Sequence, residues 1–293
     1  KEPQNSLTAP AQGHALAPMK SGLCPGALRA PNFFARGAAR PRAESSGREG
    51  VASGRGLPRV TPGTTSFSTG TTAIDMKLFL DTGNLQEVEK ASQWGFLDGV
   101  TTNPTLIAQS GKGFKETVLE ICKMLPDGDI SAEVVGHTYD EMKKEADLIS
   151  SWADNIVVKV PMNPPGMQLV RYLSEQGIRT NVTLVFSVNQ ALLAAKCGAT
   201  YISNFVGRVD DLGDDGMRAV AETVQMVETY GFASEVLAAS IRHPQHVTQA
   251  VEAGAHVATM PFKIYEMMFK HPLTDIGFAR FDSDWKNAGL KIE

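Results

Sequence analysis

The chain has 293 residues, 42% hydrophobic and 20% charged, with a formal net charge of −4, enough apolar material for one large domain or two small ones. No run of eighteen or more apolar residues occurs, so no segment is suited to cross a bilayer as a helix, and Cys24, Cys122 and Cys197 lack the paired spacing of a disulfide framework or a zinc knuckle, which points to a reducing compartment. Residues 1–75 hold nine Lys/Arg against four Asp/Glu, while residues 76–293 hold 19 against 28; the larger part is acidic and offers no basic face to nucleic acid.

Residues 1–75 are dense in Gly, Ala, Pro, Ser, Thr and Arg and show almost no apolar periodicity. Such a stretch cannot bury enough surface to offset its ordering entropy, so a disordered leader is expected there. Its basic, hydroxyl-rich, acid-poor composition is that of an organelle transit peptide. The expected location is the plastid, with the mitochondrion as the alternative, or the cytoplasm if translation starts at Met76.

From Met76 onward, short β-branched apolar runs alternate with longer stretches at helical spacing, the pattern of repeated strand–helix units on a parallel sheet. Eight runs read as strands: Lys77 to Thr82, Gly99 to Thr102, Ile130 to Val135, Ile156 to Val160, Thr180 to Phe186, Tyr201 to Val206, Glu235 to Ser240 and His256 to Met260. Each precedes a helical stretch. The expected fold is therefore α/β, a single (β/α)8 TIM barrel over residues 76–293. A doubly wound sheet is the rival, but neither G-x-G-x-x-G nor G-x-x-x-x-G-K-[ST] occurs in this part of the chain.

Barrel enzymes collect their chemistry at the carboxyl ends of the strands. There the first run ends in Asp81, the second in Thr101-Thr102-Asn103, the third contains Glu133 and the fourth Lys159. Asn181 and Thr183 lie in the fifth, Asn204 and Arg208 in or after the sixth, Ser240 and Arg242 in or after the seventh. A single such residue is most simply a solvated strand end. A Lys, an Asp and a Glu on three strands are harder to explain that way. Lys159 sits in an apolar run covered on both faces in a parallel sheet, where an ammonium loses hydration and the neutral, nucleophilic amine is favoured. Taken alone, a lysine bridged to a structural carboxylate fits as well. Asp81 and Glu133 tip the balance toward a Schiff-base lysine served by two carboxylates that divide the proton transfers, a chemistry needing neither metal nor cofactor. His243, His246 and His256 have no metal-ligand spacing with nearby carboxylates.

Six segments together resemble the transaldolase family, in its short branch that includes the fructose-6-phosphate aldolases. They are Phe79-Leu80-Asp81-Thr82, Gly99-Val100-Thr101-Thr102-Asn103-Pro104, Ile156-Val157-Val158-Lys159-Val160-Pro161, Asn181-Val182-Thr183-Leu184, Phe205-Val206-Gly207-Arg208 and Ala238-Ala239-Ser240-Ile241-Arg242. The resemblance runs from Met76 to about Lys286. It implies that Lys159 forms the Schiff base, that Asp81 handles the donor's hydroxyl proton, and that Glu133 and Thr183 hold the catalytic water. It further implies sugar-binding roles for Thr102, Asn103 and Asn181 and a phosphate site at Arg208, Ser240 and Arg242, whose guanidinium groups suit a phosphate dianion. Within the family the aldolases carry Tyr where this chain has Phe205 and Gln where it has Glu133. The expected activity is thus a transaldolase passing a dihydroxyacetone unit from a ketose phosphate to an aldose phosphate in the non-oxidative pentose phosphate pathway. A fructose-6-phosphate aldolase is the alternative, and a catalytically silent barrel that only binds a partner is the rival of another class. The expected partners are sugar phosphates and further copies of the chain, a homo-oligomer as large as a decamer, with the segment from Phe278 to Glu293 packed on a neighbour.

Overall fold

The computed structural model describes residues 75–292; apart from Asp75, the expected leader lies outside them. In chain order the elements are β1 (Lys77–Asp81), α1 (Leu85–Ser92), β2 (Gly99–Thr101), α2 (Pro104–Ser110), α3 (Phe114–Met124), β3 (Asp129–Glu133), α4 (Tyr139–Ser150), β4 (Ile156–Pro161), α5 (Pro164–Glu175), β5 (Thr180–Val185), α6 (Val188–Lys196), β6 (Tyr201–Phe205), α7 (Val206–Asp210), α8 (Gly216–Tyr230), β7 (Glu235–Ala239), α9 (Pro244–Glu252), β8 (Val257–Met260), α10 (Phe262–Met268) and α11 (Pro272–Ala288). The strands are parallel and close in sequence order, with β8 returning to pair with β1. This is the expected (β/α)8 barrel. Strand ends differ from expectation by one or two residues, and for local reasons. The third stops at Glu133 because Val135 turns its N–H to the Glu145 carboxylate at 2.8 Å; Val206 already opens α7.

Alternation along each strand sorts the two faces. Leu80, Val100, Ile130, Val158, Val182, Ile202, Val236 and Ala258 point outward into the layer shared with the helices. The opposite parity fills the barrel. Its lower storey is apolar, with Phe79, Val157, Tyr201, Leu237 and Val257 packed together. Two residues further along the same strands come Asp81, Lys159, Ser203, Ala239 and Thr259, so the next storey toward the carboxyl ends is largely polar. Below the apolar layer, Lys77 Nζ donates to Tyr201 Oη and Glu235 Oε1, both at 2.9 Å, and Asp129 accepts from Tyr201 and Arg179. These groups close the amino end with paired charges.

Helix starts are chemically marked. Asn84, Asn103, Asn163, Ser187 and Asp215 each accept a backbone N–H as N-cap, and Thr138 with Glu141 forms a capping box; such caps are worth about 1 kcal/mol each. The caps Asn84, Asn103, Asn163 and Ser187 fall within three residues of the ends of β1, β2, β4 and β5, so those loops at the carboxyl end are short. Among the described residues no helix is long and apolar enough to cross a membrane.

Candidate active site

The polar storey opens into a cleft of about 450 Å³ bordered by Asp81, Thr101, Glu133, Lys159, Thr183 and Thr259. Lys159 is 5% exposed. Its Nζ donates to the Thr102 carbonyl at 2.9 Å and pairs with Glu133 Oε2 at 3.0 Å. These two acceptors fix the nitrogen at the edge of the cleft, where, once it gives up a proton, its lone pair can meet an electrophile.

Asp81, at the end of β1, keeps a partly exposed edge on the cleft. Burial holds its carboxyl above the ordinary aspartate value; the Lys159 ammonium, the Thr101 hydrogen bond and the Arg208 guanidinium pull the other way without cancelling it. A carboxylate in this balance readily takes up a proton and gives it back. Thr101 Oγ donates to Asp81 Oδ1 at 2.7 Å, and Thr259 Oγ lies 2.6 Å from Thr101 Oγ. On its other side Asp81 borders a wider cleft of about 730 Å³ that reaches Lys263.

Thr183 reaches the cleft by ordinary alternation, two residues after the inward-facing Asn181 and still in register with Pro161 of β4, but just beyond it β5 is irregular. Its register with β6 shifts between Val182 and Val185, and Leu184 adopts φ 61°. A leucine in the left-handed region costs about 1–2 kcal/mol. Ser240, after β7, sits at φ 60°. Both strained residues line the cleft, so the backbone departs from its favoured conformations where side chains must be aimed inward.

The residues expected at a phosphate divide into two groups. Arg208, on α7, lines the cleft with Ser240, its guanidinium 4.8 Å over the Phe205 ring. Arg242 does not line it; its Nη2 donates to Asp211 Oδ2 at 2.8 Å, both side chains at least half exposed. It nevertheless packs against Gly207, where an added Cβ would lie 2.5 Å from Arg242 Nε. The ring of Phe205 faces the cleft without a hydroxyl.

The remaining expected residues take different positions. Asn103 lines the cleft and spends its carbonyl oxygen on the Leu106 N–H, leaving the amide nitrogen as the donor for a ligand. Asn181 is fully buried beneath the cleft, donating to Ser131 Oγ at 3.1 Å and accepting from Ser203 Oγ at 2.7 Å. Thr102 is also fully buried: its hydroxyl donates to the Ser131 carbonyl, and it meets Lys159 through its own carbonyl. Thr101, Ser203, Leu184 and Thr259 also line the cleft, and sequence reasoning assigned no role to any of them. A hydroxyl in an otherwise apolar strand, at the parity of Asp81 and Lys159, is the signal that could have marked Thr259 and Ser203. Among the described residues, no three His, Cys, Asp or Glu side chains converge as they would around a metal ion.

The sequence profile of the Transaldolase/Fructose-6-phosphate aldolase family matches residues 78–291. A "Probable transaldolase" of Kosmotoga olearia is 53% identical over 211 residues, spanning 72% of this chain and 96% of the relative. One from Aquifex aeolicus is 51% identical over 216 residues, 74% of this chain and 99% of its own. A third, from Dehalococcoides mccartyi, is 50% identical over 213 residues, 72% of this chain and 99% of its own.

Proposed function

Because the chain belongs to the transaldolase/fructose-6-phosphate aldolase family and is a transaldolase-type enzyme, we propose that it transfers a dihydroxyacetone unit between sugar phosphates through a Schiff base on Lys159. The observation that carries this reading is the buried Lys159 amine, held between the Thr102 carbonyl and the Glu133 carboxylate with Asp81 close enough to feel its charge. Lys159 Nζ adds to the keto carbon of a donor such as fructose 6-phosphate or sedoheptulose 7-phosphate. The carbinolamine loses water, held by Glu133 and Thr183, to give the imine. Asp81 then takes the proton of the C4 hydroxyl, the C3–C4 bond breaks, and its electron pair moves into the imine as an aldose phosphate leaves. A three-carbon enamine remains. Addition of its carbon to an acceptor aldehyde, with Asp81 returning the proton, reverses the sequence.

Arg208 and Ser240 receive the substrate phosphate, joined by Arg242 when it leaves Asp211. That exchange is permitted energetically, since an exposed ion pair is worth only about 0–1 kcal/mol. Asn103 binds donor hydroxyls directly; Asn181 and Thr102 support the floor beneath them. Phe205 favours transfer over release, because a phenyl ring offers no proton to the bound carbanion. These features support a place in the non-oxidative pentose phosphate pathway. Helix α11 has no buried residue, and Phe278, Phe281 and Trp285 are exposed on it at three- and four-residue spacing; a homo-oligomer, as large as a decamer, would cover them. The composition of residues 1–75 supports plastid import, which a fluorescent fusion would check.

The deciding experiment is borohydride reduction with fructose 6-phosphate, peptide mass spectrometry, and turnover with and without erythrose 4-phosphate. A three-carbon adduct on Lys159 with acceptor-dependent turnover is expected. Acceptor-independent release of dihydroxyacetone would make it an aldolase. Lys159→Ala should lose both adduct and turnover, by about 10⁴-fold or more; retained turnover would sink the mechanism.

A further inference from the structure

We propose that Thr259 is a positioning residue for proton transfer: its hydroxyl, acting through Thr101, holds Asp81 in the carboxylate form that cleavage requires. This rests on the reading of Asp81 as the base. An ionised carboxylate only accepts, so the single Thr101 proton is committed to Asp81 Oδ1, 2.7 Å away. The Thr101 oxygen is then the acceptor in its 2.6 Å contact with Thr259, and Thr259 must donate. The chain of hydroxyls therefore runs in one direction, Thr259 to Thr101 to Asp81, whenever Asp81 is charged.

Once Asp81 has taken the substrate's proton, that proton can itself donate to Thr101, and the direction is no longer fixed. The Thr259 hydroxyl thus favours one protonation state of Asp81 over the other. Both threonines are nearly dry, 2% and 4% exposed, so the contact between their hydroxyls takes the place of hydration. A hydrogen bond into Thr101 polarises its O–H and strengthens the bond it makes to the carboxylate. Register supports the arrangement. Asp81 pairs with Thr101 on β2, while β8 places Thr259 beside Phe79, two residues before Asp81.

Other groups act on the same carboxylate. Lys159 from β4 and Arg208 from α7 favour its charge, and burial opposes it. Glu133 on β3 pairs with Lys159, and Glu87 of α1, Lys112 and Lys263 of α10 border the wider cleft on the far side of Asp81. None of these is changed by a substitution at Thr259, which carries no charge.

The test is single-turnover release of aldose phosphate from fructose 6-phosphate, followed against pH in wild type, Thr259→Val and Thr259→Ser, with borohydride trapping alongside. Val keeps the shape and removes the hydroxyl; Ser keeps the hydroxyl. Thr259→Val should slow cleavage about threefold on the acid side, approach the wild-type rate on the alkaline plateau, and trap as much imine as wild type. Thr259→Ser should restore the wild-type profile. A uniform loss at every pH, or a Val profile that superimposes on wild type, would overturn the relay while leaving the Schiff-base reading intact. Absence of a Lys159 adduct in wild type would overturn both.

Discussion

At Asp81 two opposing effects meet, and their order decides what the residue does. Burial is the largest and raises its proton affinity; Lys159, Thr101 and Arg208 lower it by less. The consequence for stability follows by linkage. Below the unfolded-state value both states are protonated and the residue costs nothing. As pH rises past it, the unfolded chain ionises more readily than the folded one, so stability falls until the pH has passed the folded value. At neutral pH the native state therefore carries a penalty. Asp81→Asn should melt higher than wild type at pH 7, with the difference shrinking toward pH 4, as thermal denaturation would register. The same variant should still trap the imine on Lys159 while cleaving about 10²-fold more slowly. A wild-type cleavage rate would assign that proton to another group.

The elements carry the site through their ends. Helix α7 and the segment after β7 are pressed together at Gly207, where an added Cβ would meet the Ser240 carbonyl at 2.3 Å. Gly207→Ala should therefore push Arg208 away from Ser240 and Arg242. Steady-state kinetics should show KM for phosphorylated donors raised about tenfold, with a smaller effect on unphosphorylated dihydroxyacetone. A similar test suits α11: Phe281→Glu with Trp285→Glu should shift light scattering toward smaller species while leaving the far-UV spectrum of the barrel unchanged.

The eight strands are legible in the amino-acid sequence, because β-branched runs and helical spacing repeat at the period of one strand plus one crossover. Lys159, Asp81 and Glu133 are legible as well, since a charge in an apolar run is conspicuous. Three placements are not. Asn181 looks equivalent to Asn103 in sequence, yet one lies beneath the cleft and the other caps α2, a difference of depth that composition does not encode. The pairing of Arg242 with Asp211 depends on how two loops meet. The contact between Thr101 and Thr259 joins residues 158 positions apart, and only ring closure brings them together.

For the molecule as a whole, the alternation of strand faces separates packing from polarity: an apolar layer holds the barrel, and the residues two steps along the same strands line the cleft. Exchanging polar side chains in the upper storey therefore leaves the packed layer below untouched, which is the physical basis for a fold that hosts many reactions. The charged plug of Lys77, Glu235, Asp129 and Arg179 belongs to the lower end and should tolerate substitution with a loss of stability but little change in reaction order. The first and last strands share one seam, and the base on β1 leans, through β2, on a hydroxyl supplied by β8. The last strand to leave the ribosome thus completes the surroundings of a carboxylate on the first, whereas Lys159 and Glu133 lie on neighbouring central strands. A chain with a loosened seam should still capture a ketone yet break it more slowly on the acid side, so the pH profile of cleavage would report whether the ring has closed.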